Sequence, residues 1–195
     1  MPAQYGHHTF NWGLMKKIFV LTTAIALTGL STSALAAGGF VRGELGRSHV
    51  TADLDGVGSD SDNDSSYSIR GGYYFNDNFA IEGFYSNLYD KSQDGVSGKL
   101  SAIGVGLVGK KNFGADNTGF FIDGRAGIAR GKIEVSATGL GSDSATSTKP
   151  YFGVGAGYDF NRNLGVSLNW DYLKGSGDGI SITAKPLTVA LEYRF

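Results

Sequence analysis

The stretch 187–195 constrains this chain more than any other. Apolar side chains stand at 187, 189, 191, 193 and 195, with small, polar or charged ones at 188, 190, 192 and 194. A strict period of two describes a strand with one apolar and one polar face. Ending on Phe195, such a strand is either the edge of a soluble sheet or the closing stave of a barrel set in lipid. The choice depends on whether the pattern recurs.

It recurs seven times, at 40–50, 66–75, 79–89, 99–111, 119–135, 149–160 and 164–173. In the second run Tyr67, Ile69, Gly71 and Tyr73 alternate with Ser68, Arg70, Gly72 and Tyr74. In the seventh, Leu164, Val166, Leu168 and Trp170 alternate with Gly165, Ser167, Asn169 and Asp171. The connections alternate in length. Asn76-Asp77-Asn78, 112–118 and Asn161-Arg162-Asn163 are short, and 51–65, 90–98, 136–147 and 174–179 read as loops. An even number of strands with short turns on one side and longer loops on the other is the pattern of a transmembrane barrel. Closure pairs every backbone group that lipid cannot satisfy. The expected fold is all-β, an eight-stranded antiparallel transmembrane up-and-down β-barrel preceded by a signal peptide. A soluble lipocalin-like barrel would carry the same alternation with its apolar face inward.

The N-terminal part is different. Lys16 and Lys17 precede an apolar stretch at 18–30, and Ala34-Leu35-Ala36 supplies a small-residue cleavage pattern before Ala37. Residues 1–36 are therefore expected to be a signal peptide and 37–195 the barrel, with 1–14 an extension or a misassigned start. Those lysines are the only charged residues before 37, so their loss takes the net charge from −1 to −3. No basic surface for nucleic acid is implied. The chain has no Cys, hence no disulfide and no thiolate chemistry.

Aromatics cluster toward both strand ends. Phe75, Phe79, Phe120, Phe121, Tyr158, Phe160, Tyr193 and Phe195 lie by the short turns, and Tyr67, Tyr85, Tyr89, Trp170 and Tyr172 toward the longer loops. They read as two interfacial girdles. The polar face carries Arg42, Glu44, Arg70, Glu82, Asp123, Arg125, Asp159, Asp171, Glu192 and Arg194. An eight-stranded barrel is just wide enough for side chains to fill it, so these charges are expected to meet in one ion-paired layer. The competing reading is a narrow path for ions or water, for which Gly104, Gly106, Gly153, Gly155 and Gly157 could leave room or could instead accommodate side chains opposite.

Two other features bear on chemistry. Asp60-Ser61-Asp62-Asn63-Asp64 begins like a calcium loop, but Ser65 and Gly71 stand where Gly and Glu are needed, which leaves a solvated acidic loop. His49 could serve a lipid A-modifying enzyme with Ser48 or Asp53, yet Ser48 alternates to the other face. No phosphate loop, nucleophile elbow or Cys/His metal spacing is present, so no cofactor, metal or catalytic residue is expected and the chain does not read as an enzyme.

Gly71-Gly72-Tyr73-Tyr74-Phe75-Asn76, leading into Phe79-Ala80-Ile81-Glu82-Gly83-Phe84-Tyr85, resembles the small outer-membrane β-barrels of OmpA and OmpX type and the opacity-protein-like porins. Gly153-Val154-Gly155-Ala156-Gly157-Tyr158-Asp159-Phe160 and the ending Leu191-Glu192-Tyr193-Arg194-Phe195 extend the likeness. The resemblance implies the outer membrane of a Gram-negative bacterium. Leu191, Tyr193 and Phe195 match the alternating positions and terminal aromatic read by the outer-membrane assembly machinery. Other implied partners are outer-membrane lipid, lipopolysaccharide and a host or phage surface ligand, for a monomer. No wall-binding domain follows the barrel segment, so wall tethering is not implied. The role so implied is structural or adhesive, with a low-conductance porin as alternative and a lipid A enzyme as third.

Overall fold

The computed structural model describes residues 38–54, 58–93, 96–137, 141–177 and 180–195. Eight strands follow in order: β1 (Gly39–Leu54), β2 (Gly58–Tyr74), β3 (Phe79–Gln93), β4 (Val96–Asn112), β5 (Gly119–Ala137), β6 (Gly141–Asp159), β7 (Leu164–Gly177) and β8 (Ile180–Arg194). Each pairs antiparallel with its sequence neighbours. Strand β8 returns to β1 from Phe40↔Arg194 to Leu54↔Ile180 and closes the barrel.

The apolar face points outward. Leu45 is 70% exposed, Leu107 and Val189 are each 62% exposed, and Arg42, Glu44 and Glu82 are each 1% exposed. This inverts a soluble barrel. So continuous an apolar exterior requires lipid as its solvent, and the lipocalin-like alternative falls.

The two ends differ. At one, the turns are built by asparagine. Asn76 Oδ1 accepts from the backbone N–H of Asn78 and Phe79, both at 2.9 Å. Asn161 Oδ1 accepts from Asn163 and Leu164, both at 2.8 Å. The last Asn of each turn then donates to the adjoining strand, Asn78 to the Lys110 carbonyl and Asn163 to the Arg194 carbonyl, each at 2.8 Å. The third connection passes through left-handed Asp116 and Asn117 in a 3-10 turn.

At the other end the expected long loops are largely strand. The β1–β2 ladder runs to Leu54↔Gly58, β3–β4 to Gln93↔Val96, β5–β6 to Ala137↔Gly141 and β7–β8 to Gly177↔Ile180. The reason is the solvent. Past the lipid both faces of a hairpin meet water, so Ser59 to Ser65 shows no apolar alternation although its backbone remains paired.

This hairpin end is not a closed ring. Pairing of β2 with β3 stops at Tyr67↔Asn87, next to a bulge at Leu88. Pairing of β6 with β7 stops at Tyr151↔Leu173. Above these points β7-β8-β1-β2 and β3-β4-β5-β6 are separate four-stranded sheets.

Candidate functional site

The lumen is the candidate site, and strand parity builds it. Inward positions of β1 supply Arg42 and Glu44, those of β5 supply Asp123 and Arg125, and β2, β3 and β7 supply Arg70, Glu82 and Asp171. Their hydrogen bonds sort them into two tiers rather than one layer.

The tier nearer the asparagine turns centres on Glu192 and Asp159. Arg42 donates to Glu192 Oε2 from Nε at 2.8 Å and Nη2 at 2.5 Å. Arg194 donates from Nε to Glu192 Oε1 at 2.7 Å and from Nη2 to Asp159 Oδ1 at 2.5 Å. Lys110 Nζ lies 2.9 Å from Asp159 Oδ2 and 3.6 Å from Glu192 Oε1, and 3.6 Å above the Phe121 ring. Asn112 Nδ2 completes the coordination of Asp159 at 2.7 Å. Asp123 meets this tier only through Arg42, at 3.9 Å. Phe40, Tyr74, Ala80 and Val108 pack together inside this end of the barrel.

The second tier is one inward step further along β1 and β5. Arg70 bridges three carboxylates: Glu44 at 2.9 Å, Glu82 at 2.9 Å and Asp171 at 2.7 Å. Arg125 holds Asp171 with a two-pronged grip at 2.7 and 2.9 Å and reaches Glu44 at 3.2 Å. Such forked guanidinium–carboxylate pairs are the strongest class of side-chain hydrogen bond. Tyr151 covers the tier, donating its hydroxyl to Glu82 Oε1 at 2.7 Å, and its ring meets Phe84 edge-on at 4.9 Å. The Phe84 ring lies 4.5 Å from the Arg70 guanidinium carbon. Beyond it Leu88, Leu100, Ala102, Ala129, Leu173 and Ala184 form an apolar cluster.

The inward glycines make room for these side chains. A Cβ at Gly153 would strike the Asp171 carboxylate and Arg125 Nε, and one at Gly155 would strike Asn169 and Asp123. At Gly104 it would strike the Phe84 ring, at Gly106 the Tyr151 hydroxyl and at Gly157 the Phe121 ring. These glycines accommodate the side chains opposite.

Family membership is decided over nearly the whole chain. Residues 22–195 match the model of the outer membrane protein beta-barrel domain. The chain belongs to that family. It is thus a protein of the Gram-negative outer membrane. An uncharacterized protein of Coxiella burnetii (strain RSA 493 / Nine Mile phase I) is 24% identical, covering 93% of this chain and 100% of that one. Among solved structures, Neisserial surface protein A superposes with a TM-score of 0.66 at 18% identity, over 83% of this chain and 100% of that one. Ail, the attachment invasion locus protein of Yersinia pestis, gives 0.54 at 17% identity over 80% and 99%. OprG of Pseudomonas aeruginosa gives 0.52 at 16% identity over 82% and 97%. These likenesses establish the barrel architecture.

Within this outer-membrane barrel, nine of the ten charges singled out from sequence are buried, and Arg194 is partly exposed at the rim. Lys110 belongs with them and was missed. It is 4% exposed, and counting on the even positions of β4 from Ala102 through Val108 would have found it. The girdle assignment needs two corrections. Phe121 is 2% exposed and inside, because adjacent strand residues alternate faces. Tyr89 follows the bulge, which turns it against the inner cluster with its hydroxyl 3.2 Å from Asp62.

Leu191 and Phe195 face outward with Tyr193, respectively 55%, 51% and 38% exposed. Ala34, Ala36 and Ala37 lie outside the described residues. His49 is exposed and its Nδ1 is 3.0 Å from Asn63 Oδ1, while Ser48 is fully buried on the inner face, so the two do not meet. The acidic segment is strand. Its Asp62 pairs with Lys91 at 2.6 Å, and Asp64 accepts the Asp90 backbone N–H at 2.8 Å. These bonds latch the β2–β3 gap, and the Lys91 hydrogen bond holds Asp62 below the ordinary carboxylate range.

Proposed function

We propose that the protein is a structural and surface-interaction barrel whose lumen is filled and whose function lies in the two sheets raised at the hairpin end. The observation that supports this is the double tier of ion pairs beneath the Phe84–Tyr151 contact, fitted against glycines. Side chains so interlocked favour rigidity over transport. The hairpin end points away from the cell, as in barrels of this kind, and offers hydroxyl- and carboxylate-rich strands to a host or phage ligand. Ail, named for attachment and invasion, shares this architecture. Export follows cleavage before Ala37, and the alternation Leu191, Tyr193, Phe195 is read by the assembly machinery. Purified protein in planar bilayers tests the central reading. Absence of reproducible single-channel steps is expected, and regular steps would refute it.

A low-conductance pore is the second reading. It draws support from Asp123, whose two buried oxygens have no hydrogen-bond partner, and from the buried hydroxyls of Ser48 and Thr188. Incompletely paired buried polar groups of this kind are where water binds. Cation-selective steps lost in Asp123→Leu would favour it.

A further inference from the structure

The charges inside the barrel do not balance. The tier nearer the asparagine turns sets Arg42, Lys110 and Arg194 against Asp123, Asp159 and Glu192, three of each sign. The second tier sets two guanidiniums, Arg70 and Arg125, against three carboxylates, Glu44, Glu82 and Asp171. Among the described residues no other charged side chain is buried. One negative charge is therefore left over in the second tier, and a charge removed from water needs a counter-charge.

The oxygens left without a donor show where that counter-charge belongs. Both Asp171 oxygens accept from guanidiniums. Glu44 and Glu82 each accept all their bonds on Oε1 and leave Oε2 without a hydrogen-bond partner. Glu82 stands opposite Gly72 on β2 and Gly106 on β4, which bring no side-chain oxygen. Glu44 has different neighbours. The next inward position of β1 is Gly46, which stands opposite Ser66 on β2 and Thr188 on β8. Both hydroxyls are buried and unpartnered, and so is that of Ser48, the following inward residue. A Cβ at Gly46 would strike the Leu187 carbonyl and the Thr188 Cα, so β8 presses close to β1 here. Four buried oxygens thus occupy neighbouring inward positions of β8, β1 and β2 without bonding one another. A hydroxyl that does not donate to a neighbouring carboxylate stands too far from it for a hydrogen bond. An ion between the two can be liganded by both.

We propose that this pocket binds one monovalent metal cation, held by Glu44 Oε2 and the hydroxyl oxygens of Thr188 and Ser66. Hard cations take oxygen ligands, with water completing the shell. A single positive charge matches the single excess carboxylate, whereas a divalent ion would leave the tier positive. A proton on Glu44 would cancel the charge but leave the hydroxyls unjoined. Asp123 is a weaker candidate. Its oxygens are also unpartnered, but Arg42 lies 3.9 Å away and its tier is balanced. The site adds a ligand to the filled lumen and does not depend on the surface-interaction role.

The probe is sodium. The barrel is refolded in sodium chloride or in choline chloride at equal ionic strength, so that the ion is present while the lumen forms. Urea unfolding is followed by heat-modifiable gel mobility. Above the dissociation constant, each tenfold rise in sodium should raise the folded-to-unfolded ratio about tenfold, while the choline series stays flat. Equal curves in the two salts overturn the site. Thr188→Val and Ser66→Ala remove ligand oxygens with little change in volume. Each should fold in choline as the parent does and lose most of the sodium response. An undiminished response in the double variant overturns the ligand assignment. Glu44→Gln keeps an acceptor oxygen for Arg70 and Arg125 and removes the excess charge, so it too should be indifferent to sodium. A parent without sodium response whose stability in choline falls as pH rises would assign the excess charge to a bound proton and overturn the cation.

Discussion

Replacing Arg70 by methionine isolates the energetics of the second tier. The side chain keeps most of its length and loses its charge. Three carboxylates lose a donor at once, Glu44, Glu82 and Asp171, all within 2.9 Å of the guanidinium. The losses are unequal. Glu44 and Asp171 keep Arg125, whereas Glu82 keeps only the Tyr151 hydroxyl on Oε1 and has no partner on Oε2. One buried carboxylate is therefore stranded. Removing one partner of a buried pair costs about 3–5 kcal/mol, and the two carboxylates still held place the expected loss near the lower figure, about 3 kcal/mol. Urea unfolding of the refolded barrel, followed by heat-modifiable mobility, measures it. Adding Glu82→Gln neutralises the stranded group and should return about 1–2 kcal/mol. An Arg70→Met barrel within about 0.5 kcal/mol of the parent would refute the idea that this guanidinium neutralises the tier.

Gly155→Ala sets a Cβ against Asn169 and Asp123 and should cost about 1–3 kcal/mol in the same unfolding experiment, as overpacking does. Outward Gly124→Ala, with nothing within 4 Å, should be close to neutral. The Asp62–Lys91 latch predicts a pH window. Asp62 is depressed in the folded state, so its contribution is present above the unfolded value of about 3.9 and is lost as pH falls through the folded one. Lys91 is raised by the same hydrogen bond, so its contribution is lost only as pH rises through its folded value, above about 10.4. The protection of the Asp90 amide, its exchange rate relative to that of the unfolded chain at the same pH, should therefore fall at the acid end, and Lys91→Ala should flatten the response. Deleting Phe195 should lower the amount of protein in the outer membrane while leaving refolding in detergent intact. Unchanged membrane levels on immunoblot would remove the assembly role.

The fold was legible because two solvents write themselves on alternate residues. Leu164, Val166 and Leu168 meet lipid, while Gly165, Ser167 and Asn169 meet the interior, and that contrast is a local property of the chain. It disappears where both faces meet water, which is why Ser59 to Ser65 reads as a loop and is strand. The charged residues were legible as a set and not as pairs. Arg42 finds Glu192, 150 positions away, only because β8 closes on β1 in one register. Division into two tiers likewise depends on which inward step of β1 and β5 each residue occupies. Lys110 is masked for a simpler reason: two consecutive lysines, 110 and 111, break the alternation that marks an inner face.

The two interruptions in pairing carry a mechanical meaning. A closed barrel resists widening because its hydrogen bonds run around the circumference, like the hoops of a cask. Above Tyr67↔Asn87 and Tyr151↔Leu173 the hoops are cut at two places four strands apart. The hairpin end can therefore spread as a pair of jaws without breaking a strand-to-strand ladder, once the Asp62–Lys91 pair and the Asp64–Asp90 bond that latch the β2–β3 side are released, hinged on a base whose hoops are intact. A force on the tips would load the Asp62–Lys91 latch before it loaded the ion pairs below. Large changes in what the tips grip could then be accepted at no cost to the part that holds the protein in its membrane.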